Sequence, residues 1–241
     1  MKTQPSPTRM AKTMVLEASV IVISILLAFG LDALWDANKR EREAQIALTS
    51  LESEFQANLS SCRRVIRSLA DSASDFADLM RTPDSELQGL CDEAATAAYN
   101  SFCSPRSFDA LLGTTKSVIS TGTFSILQDA NLRNQLDVFL NLMDDTHEDI
   151  QNMLHYMRVL GEYEVSIGGP WGAPSDGDAE HADTSYMRMI TAHQLLSLRD
   201  DPGFIGRVKL YHGCAAWYHG ELTGLAAHIE SVLDTIASLK G

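Results

Sequence analysis

The first third of the chain combines an apolar run with a helical apolar seam. Residues 18–31 read ASVIVISILLAFGL and carry no charge. Residues 48–80 place an apolar side chain at nearly every third or fourth position, which predicts a helix with one packing face. Because no Gly or Pro lies between Leu31 and Thr82, we expect one continuous helix over residues 14–81, roughly 100 Å long.

The rest of the chain also shows helical spacing, interrupted by turns. The pattern predicts helices over 85–100, 107–112, 130–164, 185–198 and from 202 to the end, with a connector at 116–124 and a loop at 166–184. Asp129 and Asp201 are the expected N-caps. No alternating strand pattern of useful length occurs. The expected fold is all-α: an N-terminal transmembrane helix that continues into a long helix, and an antiparallel bundle of about four main helices.

The apolar run predicts a membrane span over residues 13–35. Those 23 residues contain only Glu17 and Asp32 as charges, close to the ends, and Trp35 lies at interface depth. A cleaved signal peptide and a buried soluble helix are the alternatives. We favour a retained span, because Glu17 adjoins the apolar run and the helical pattern continues without a break. The expected organisation is a disordered tail at 1–12, the span, and a helical bundle domain at 36–241.

Residues 17–43 resemble the N-terminal signature of an uncharacterised bacterial family of small single-anchor membrane proteins. The matching features are Glu17, the ILLAF stretch at 25–29, Asp32, Trp35 and the charged residues 39–43. The middle of the chain is similar too, through FDALL at 108–112, Ser120-Thr121-Gly122, Ile126, Asp129 and Leu132-Arg133. The resemblance implies a single anchor and a helical body. It implies no activity, because the family is of unknown function.

Charge limits the partners and suggests an orientation. The net charge of −13 over 241 residues disfavours nucleic-acid binding. Three Lys or Arg side chains lie before the span and three just after it, so the positive-inside count is a tie. Arg9 and Lys12 precede the span without any acid among residues 1–16, and this favours a bacterial inner-membrane protein with a periplasmic body.

Three groups of residues are candidate metal or ligand sites. Asp144, His147 and Glu148 share a helix face, but a di-iron centre needs a second such motif, and Asp178 and His181 lie in the loop. Asp176, Asp178 and Glu180 begin like a calcium loop that lacks its glycine and its closing glutamate. His212, Cys214 and His219 are compatible with a metal between helices or with half-buried edge residues. We therefore predict no catalytic, cofactor-binding or metal-binding residues and no cofactor.

Two further features leave alternatives open. Reflecting the chain about Pro83 places Cys62 beside Cys103, so the two are either bridged or buried as free thiols. Trp171, in the GGPWG sequence at 168–172, is a lid over a groove or a plug that fixes the loop to the bundle, and the plug is favoured.

The sequence supports two classes of function. The first is a membrane-anchored helical scaffold or interaction module, a subunit of a larger assembly without inferred catalysis. Its partners would be the lipid bilayer through residues 13–35 and a second copy or another membrane protein, since Ser24 and Ala28 form a small-xxx-small pair. The alternative is a ligand-binding sensor bundle with Trp171, Trp217, Tyr218 and the histidines around a groove. A sensor with one anchor needs an output domain, which favours the scaffold.

Overall fold

A computed structural model describes residues 7–103, 106–120, 129–167 and 189–240, with side chains from Val22 onward. Every regular element in these ranges is an α-helix, which confirms the all-α prediction. The helices are α1 (Pro7–Arg81), α2 (Asp84–Gln88), α3 (Asp92–Cys103), α4 (Gly113–Ser120), α5 (Ala130–Ser166), α6 (Ala192–Asp200) and α7 (Pro202–Lys240).

Helix α1 is one unbroken helix of 75 residues, as the absence of Gly and Pro beyond Leu31 predicted. At 1.5 Å per residue it is about 110 Å long. It ends where Pro83 removes a donor, and the Thr82 hydroxyl donates to the Asp78 carbonyl at 2.8 Å to finish the last turn.

The body of the molecule is built on three long helices, α1, α5 and α7, and α7 runs antiparallel to the other two. Lys240 pairs with Glu52 at 2.5 Å, so the end of α7 lies beside the middle of α1. Gln135 donates to the Ser231 hydroxyl at 2.9 Å, so α5 also runs antiparallel to α7. The inner positions of the three helices interlock, and the rings of Phe55 and Phe139 lie 4.7 Å apart. The apolar positions of α7 recur at 3-4 spacing from Val208 to Leu239, and this seam is buried from Val208 to Ile236, with Leu239 partly buried.

Residues 106–112 are held against α1 and α7 by side chains instead of by their own helix. Asn58 accepts from the Leu111 amide and donates to the Leu111 carbonyl, both at 2.8 Å. The Tyr218 hydroxyl accepts from the Phe108 amide at 2.9 Å. These bonds satisfy the backbone groups that a helix would have used. The predicted helix over 107–112 is therefore wrong.

Helix α4 occupies part of the segment predicted to be a connector. Its first turn is capped from α1, because Glu54 accepts from the amides of Thr114 and Thr115 at 2.6 and 2.9 Å. Glu54 also accepts from the Thr115 hydroxyl at 2.7 Å. This carboxylate stabilises a helix whose β-branched residues favour it poorly. The predicted connector is wrong for 116–120, and its remainder, 121–124, lies outside the described residues.

A second apolar cluster lies where the C-terminal part of α1 meets α3, α6 and the start of α7. Leu79, Tyr99, Phe102, Leu195 and Phe204 are among the side chains buried there. The helix predicted over 85–100 is two helices, because Gly89 ends α2 and residues 89–91 turn the chain. The helix predicted over 185–198 begins at Ala192, where Thr191 accepts from the Gln194 amide at 3.2 Å; residues 185–188 lie outside the described residues.

No helix contains an apolar stretch of the length that a bilayer crossing requires, as far as the described part of the chain extends. The predicted span over 13–35 finds no support in that search, and the side chains of 13–21 lie outside it. The predicted disordered tail lies outside the described residues for 1–6, whereas 7–12 already belong to α1.

Candidate interaction surfaces

The first candidate surface is the apolar end of α1, residues 22–35. Consecutive residues on a helix point about 100° apart, so Ile25, Leu26 and Leu27 cover three different directions. They expose 49%, 64% and 63% of their surface, and Trp35 exposes 76%. A soluble helix keeps one polar face, whereas a helix that is apolar all round is normally surrounded by protein or lipid.

Between this apolar end and the bundle lies a short charged segment, residues 36–43. All eight residues are exposed, and six of them are charged, three acidic and three basic. The first contacts with the body come at Ala44, Ala47 and Leu48, which pack against the core. Residues 22–43 therefore project beyond the body for about 33 Å.

The acidic motif on α5 has the geometry of a solvated face. Asp144, His147 and Glu148 are exposed, while Thr146 and Ile150 on the opposite side are buried. Neighbouring Asp149 has a raised pKa, first from burial and then from the charges of Glu148 and Asp145. No cluster of three or more potential metal ligands occurs in the described ranges.

The histidines of α7 are edge residues of the bundle. The ring of His212 stacks on Phe76 at 5.1 Å between centroids. Its Nε2 atom is buried and finds no hydrogen-bond partner among the described residues. Burial lowers the pKa of His212, against a hydrogen bond to the Phe102 backbone that raises it. His219 and Cys214 are half-buried.

Cys62 and Cys103 are buried and are not joined in a disulfide. The Cys62 thiol donates to the Leu222 carbonyl at 3.3 Å, and burial raises its pKa to about 11. The residue beside Cys103, Phe102, instead accepts from Ser72, ten residues farther along α1. The sequence midpoint between Ser72 and Phe102 is Leu87 and not Pro83, because α2 and the turn after it connect α1 to α3. The prediction that a turn at Pro83 places Cys62 beside Cys103 is therefore wrong.

The proposed lining of a ligand groove is divided between two sides of α7. Tyr218 is buried with 1% of its surface exposed, and its hydroxyl serves the Phe108 amide, whereas Trp217 exposes 76%. Trp171 and the acidic residues Asp176, Asp178 and Glu180 with His181 lie outside the described residues. A shallow groove lined by Gln56, Leu59, Ser60, Arg63 and Arg67 is present on α1, with Arg63 already paired with Glu230 at 2.6 Å.

A second candidate surface, which we term the α7 stripe, was not found from the sequence. It comprises the ten exposed residues of α7 between 206 and 227, and Lys209 alone among them is charged. The others are Gly206, Leu210, Gly213, Ala216, Trp217, Gly220, Thr223, Gly224 and Ala227. The signal was available, since Gly206, Gly213 and Gly220 recur every seven residues, but the regular inner seam of the same helix concealed it.

No described residue accounts for the glycines of the stripe. A Cβ atom added to Gly206, Gly213, Gly220 or Gly224 would meet no described atom within 4 Å. Glycine in a helix interior costs about 1 kcal/mol relative to alanine. Gly203 differs, because an added Cβ there would overlap the hydroxyl and ring of Tyr163.

No protein-family model, no curated protein and no solved structure matches this chain.

Proposed function

We propose that the protein is a membrane-anchored helical scaffold, held in a bacterial inner membrane through residues 13–35 and presenting the bundle to partner proteins. The observation that carries the proposal is the exposure of α1 on every side from Val22 to Trp35, where large apolar side chains contact no other part of the described chain. Transfer of these side chains out of water is favourable by about 25 cal/mol per Å².

Three features support an anchor over a buried helix. The uncharged run extends upstream to Ala18, which gives the segment membrane-spanning length together with 13–17. Trp35 lies where aromatic side chains meet the interface, and the charged residues 36–43 follow at once. The body fills its core without this segment, because the buried seam of α1 begins at Leu48.

The proposal of a scaffold also rests on what the body contains. Its buried polar groups, such as Glu54 and Asn58, hold backbone segments in place. Rigid helices with exposed faces are suited to presenting binding surfaces. The resemblance to single-anchor membrane proteins of unknown function agrees with this role.

Membrane extraction tests the anchor. We expect the full-length chain to stay in the membrane pellet at alkaline pH without detergent, and a chain beginning at Asn38 to be released. Substitution of Leu26 and Leu27 by Glu should release the full-length chain, whereas Glu at the exposed body positions Ala57 and Ala70 should not. Recovery of the unchanged chain in the supernatant, or of a species beginning near Leu31, contradicts a retained anchor.

The proposed orientation, with the body in the periplasm, has its own test. A single cysteine at Ser175, in a background without the four native cysteines, should react with a membrane-impermeant maleimide in intact spheroplasts. Labelling only after lysis would place the body in the cytoplasm. Proteins that co-purify with the full chain in mild detergent would then identify the larger assembly.

A further inference from the structure

We infer that the α7 stripe is the contact surface for a second copy of this chain, with the two α7 helices packed side by side and parallel. This inference rests on the proposed function, because the parallel direction follows from two anchors in one membrane. It adds to that function the identity of one partner and the helix face that binds it.

The first step concerns what fits the stripe. Four glycines lie on one helix face, and no described atom comes within 4 Å of a Cβ added to any of them, so the face permits a close approach of another backbone. A loop or a lipid surface does not need that approach, whereas a facing helix does. Between the glycines stand two large apolar residues, Leu210 and Trp217, which expose 53% and 76% of their surface.

The second step concerns why the facing helix is a copy of α7. Gly206, Gly213 and Gly220 occupy one heptad position, and Leu210 and Trp217 occupy the other core position. In a parallel pair, a side chain at the second position enters a hole bordered by the first position of the facing helix. Trp217 of each chain would then lie over Gly213 and Gly220 of the other copy. The stripe is therefore complementary to itself, as a two-fold interface requires.

Charge gives the third step. Two molecules of net charge −13 repel through most of their surface. The outer face of α5 shows the usual composition, with Asp137, Asp144, Asp145, Glu148 and Glu162 all exposed. None of the ten exposed residues of the α7 stripe is acidic, so two copies approach there with the least repulsion.

The area sets the strength of the pair. A helix face about 32 Å long and roughly 10 Å wide covers on the order of 300 Å² per chain. A standard stable interface buries about 800 Å² per partner. The pair is therefore weak in dilute solution and forms where anchoring concentrates the chains, as tethering does for any weak contact.

Disulfide cross-linking of the full chain in native membranes tests the inference. The background is Cys91→Ser with Cys214→Ser, which leaves the two buried cysteines in place. We expect Leu210→Cys and Trp217→Cys each to give a covalent dimer under mild oxidation, at least tenfold more than Asn152→Cys on the exposed face of α5. Two same-residue bonds, about 10 Å apart along the helix, form only in a parallel pair.

Two further variants separate disrupted pairing from disrupted folding. Gly213→Leu should lower the Leu210→Cys cross-link at least fivefold, because its side chain fills the hollow for Trp217. Gly213→Ala should raise the thermal midpoint of the chain, because the added Cβ meets no described atom within 4 Å and alanine favours helix.

The outcomes are distinct for the two proposals. Cross-linking at 210 and 217 no stronger than at 152 overturns the inference, and so does a bond at only one of the two positions. Alkaline extraction of the same membranes reports on the anchor alone. A chain that stays in the pellet but does not cross-link retains the anchor and loses the pair.

Discussion

Glu54 shows how one buried side chain fixes a neighbouring segment. Its carboxylate serves three donors at the start of α4, and its surface is 9% exposed. Loss of a charged acceptor leaves buried donors without partners, at about 1–3 kcal/mol. Sequence reasoning could not have found this role, since Glu54 lies amid ordinary helix formers and its partners are sixty residues away.

We expect Glu54→Ala to lower the free energy of unfolding by about 3 kcal/mol. The matched control is Glu52→Ala, which removes a partly exposed pair with Lys240 and should cost less than about 1 kcal/mol. Urea unfolding of both variants beside the parent measures the difference. Equal losses would mean that Glu54 does not hold α4.

His212 gives the stability of the body a dependence on pH. Burial lowers its pKa below the value of 6.5 that the unfolded chain has. Between the two values the unfolded state binds the proton and the folded state does not. Stability from this residue is therefore complete above pH 6.5 and is lost as the pH falls through the lowered pKa.

We expect His212→Phe to reduce the loss of stability between pH 7.5 and 5.5 relative to the parent chain. Phenylalanine keeps the stacking on Phe76 and removes the titrating ring. His155→Phe, which replaces an exposed histidine, is the control variant. Urea titrations at both pH values measure the free energy of unfolding of each variant. An equal loss between pH 7.5 and 5.5 in the parent and in His212→Phe would exclude a contribution from His212.

At the scale of elements, the long helices followed from spacing, whereas the short ones followed only in part. The 3-4 pattern located α1, α5 and α7 because each buries one continuous face. Asp129 caps α5 as predicted, accepting from the Leu132 amide at 2.6 Å. Segments 107–120 were misjudged because distant side chains decide their backbone hydrogen bonds. The apolar segment and the edge histidines were visible in sequence, whereas the α7 stripe needed burial to separate its outer face from its inner one.

The continuity of α1 across residues 36–43 makes a measurable distance. Spin labels at Asn38 and Ala57, both exposed, should lie about 28 Å apart along the axis with a narrow distribution. Ala44→Pro should broaden it, because proline breaks the helix between the labels. Labels at Ala57 and Ser74, beyond the break, serve as the control and should keep their spacing in Ala44→Pro. A broad distribution in the parent would contradict a continuous helix.

At the scale of the whole molecule, the body is independent of the projecting end of α1. Side chains from Val22 to Glu43 are exposed, and burial starts with Ala44. We expect a chain beginning at Asn38 to be mainly helical by circular dichroism and to keep the thermal midpoint of the full chain in detergent within a few degrees. A chain beginning at Ile66 should lose cooperative unfolding, since it lacks Leu48, Leu51 and Phe55. Loss of cooperativity in the first truncation would show that the projecting end supports the body.

Because α1 is unbroken, the number of residues in 36–43 determines how the bundle is rotated about the axis of α1. Each residue of an α-helix turns the chain by about 100° and advances it by 1.5 Å. A single residue inserted there would rotate the whole bundle by about 100° around the axis of α1 and move it along that axis by only about 1.5 Å. Seven inserted residues would return nearly the original heading, about 10 Å farther out. The direction that the bundle faces around the axis of α1 is therefore set by the number of residues in this charged segment.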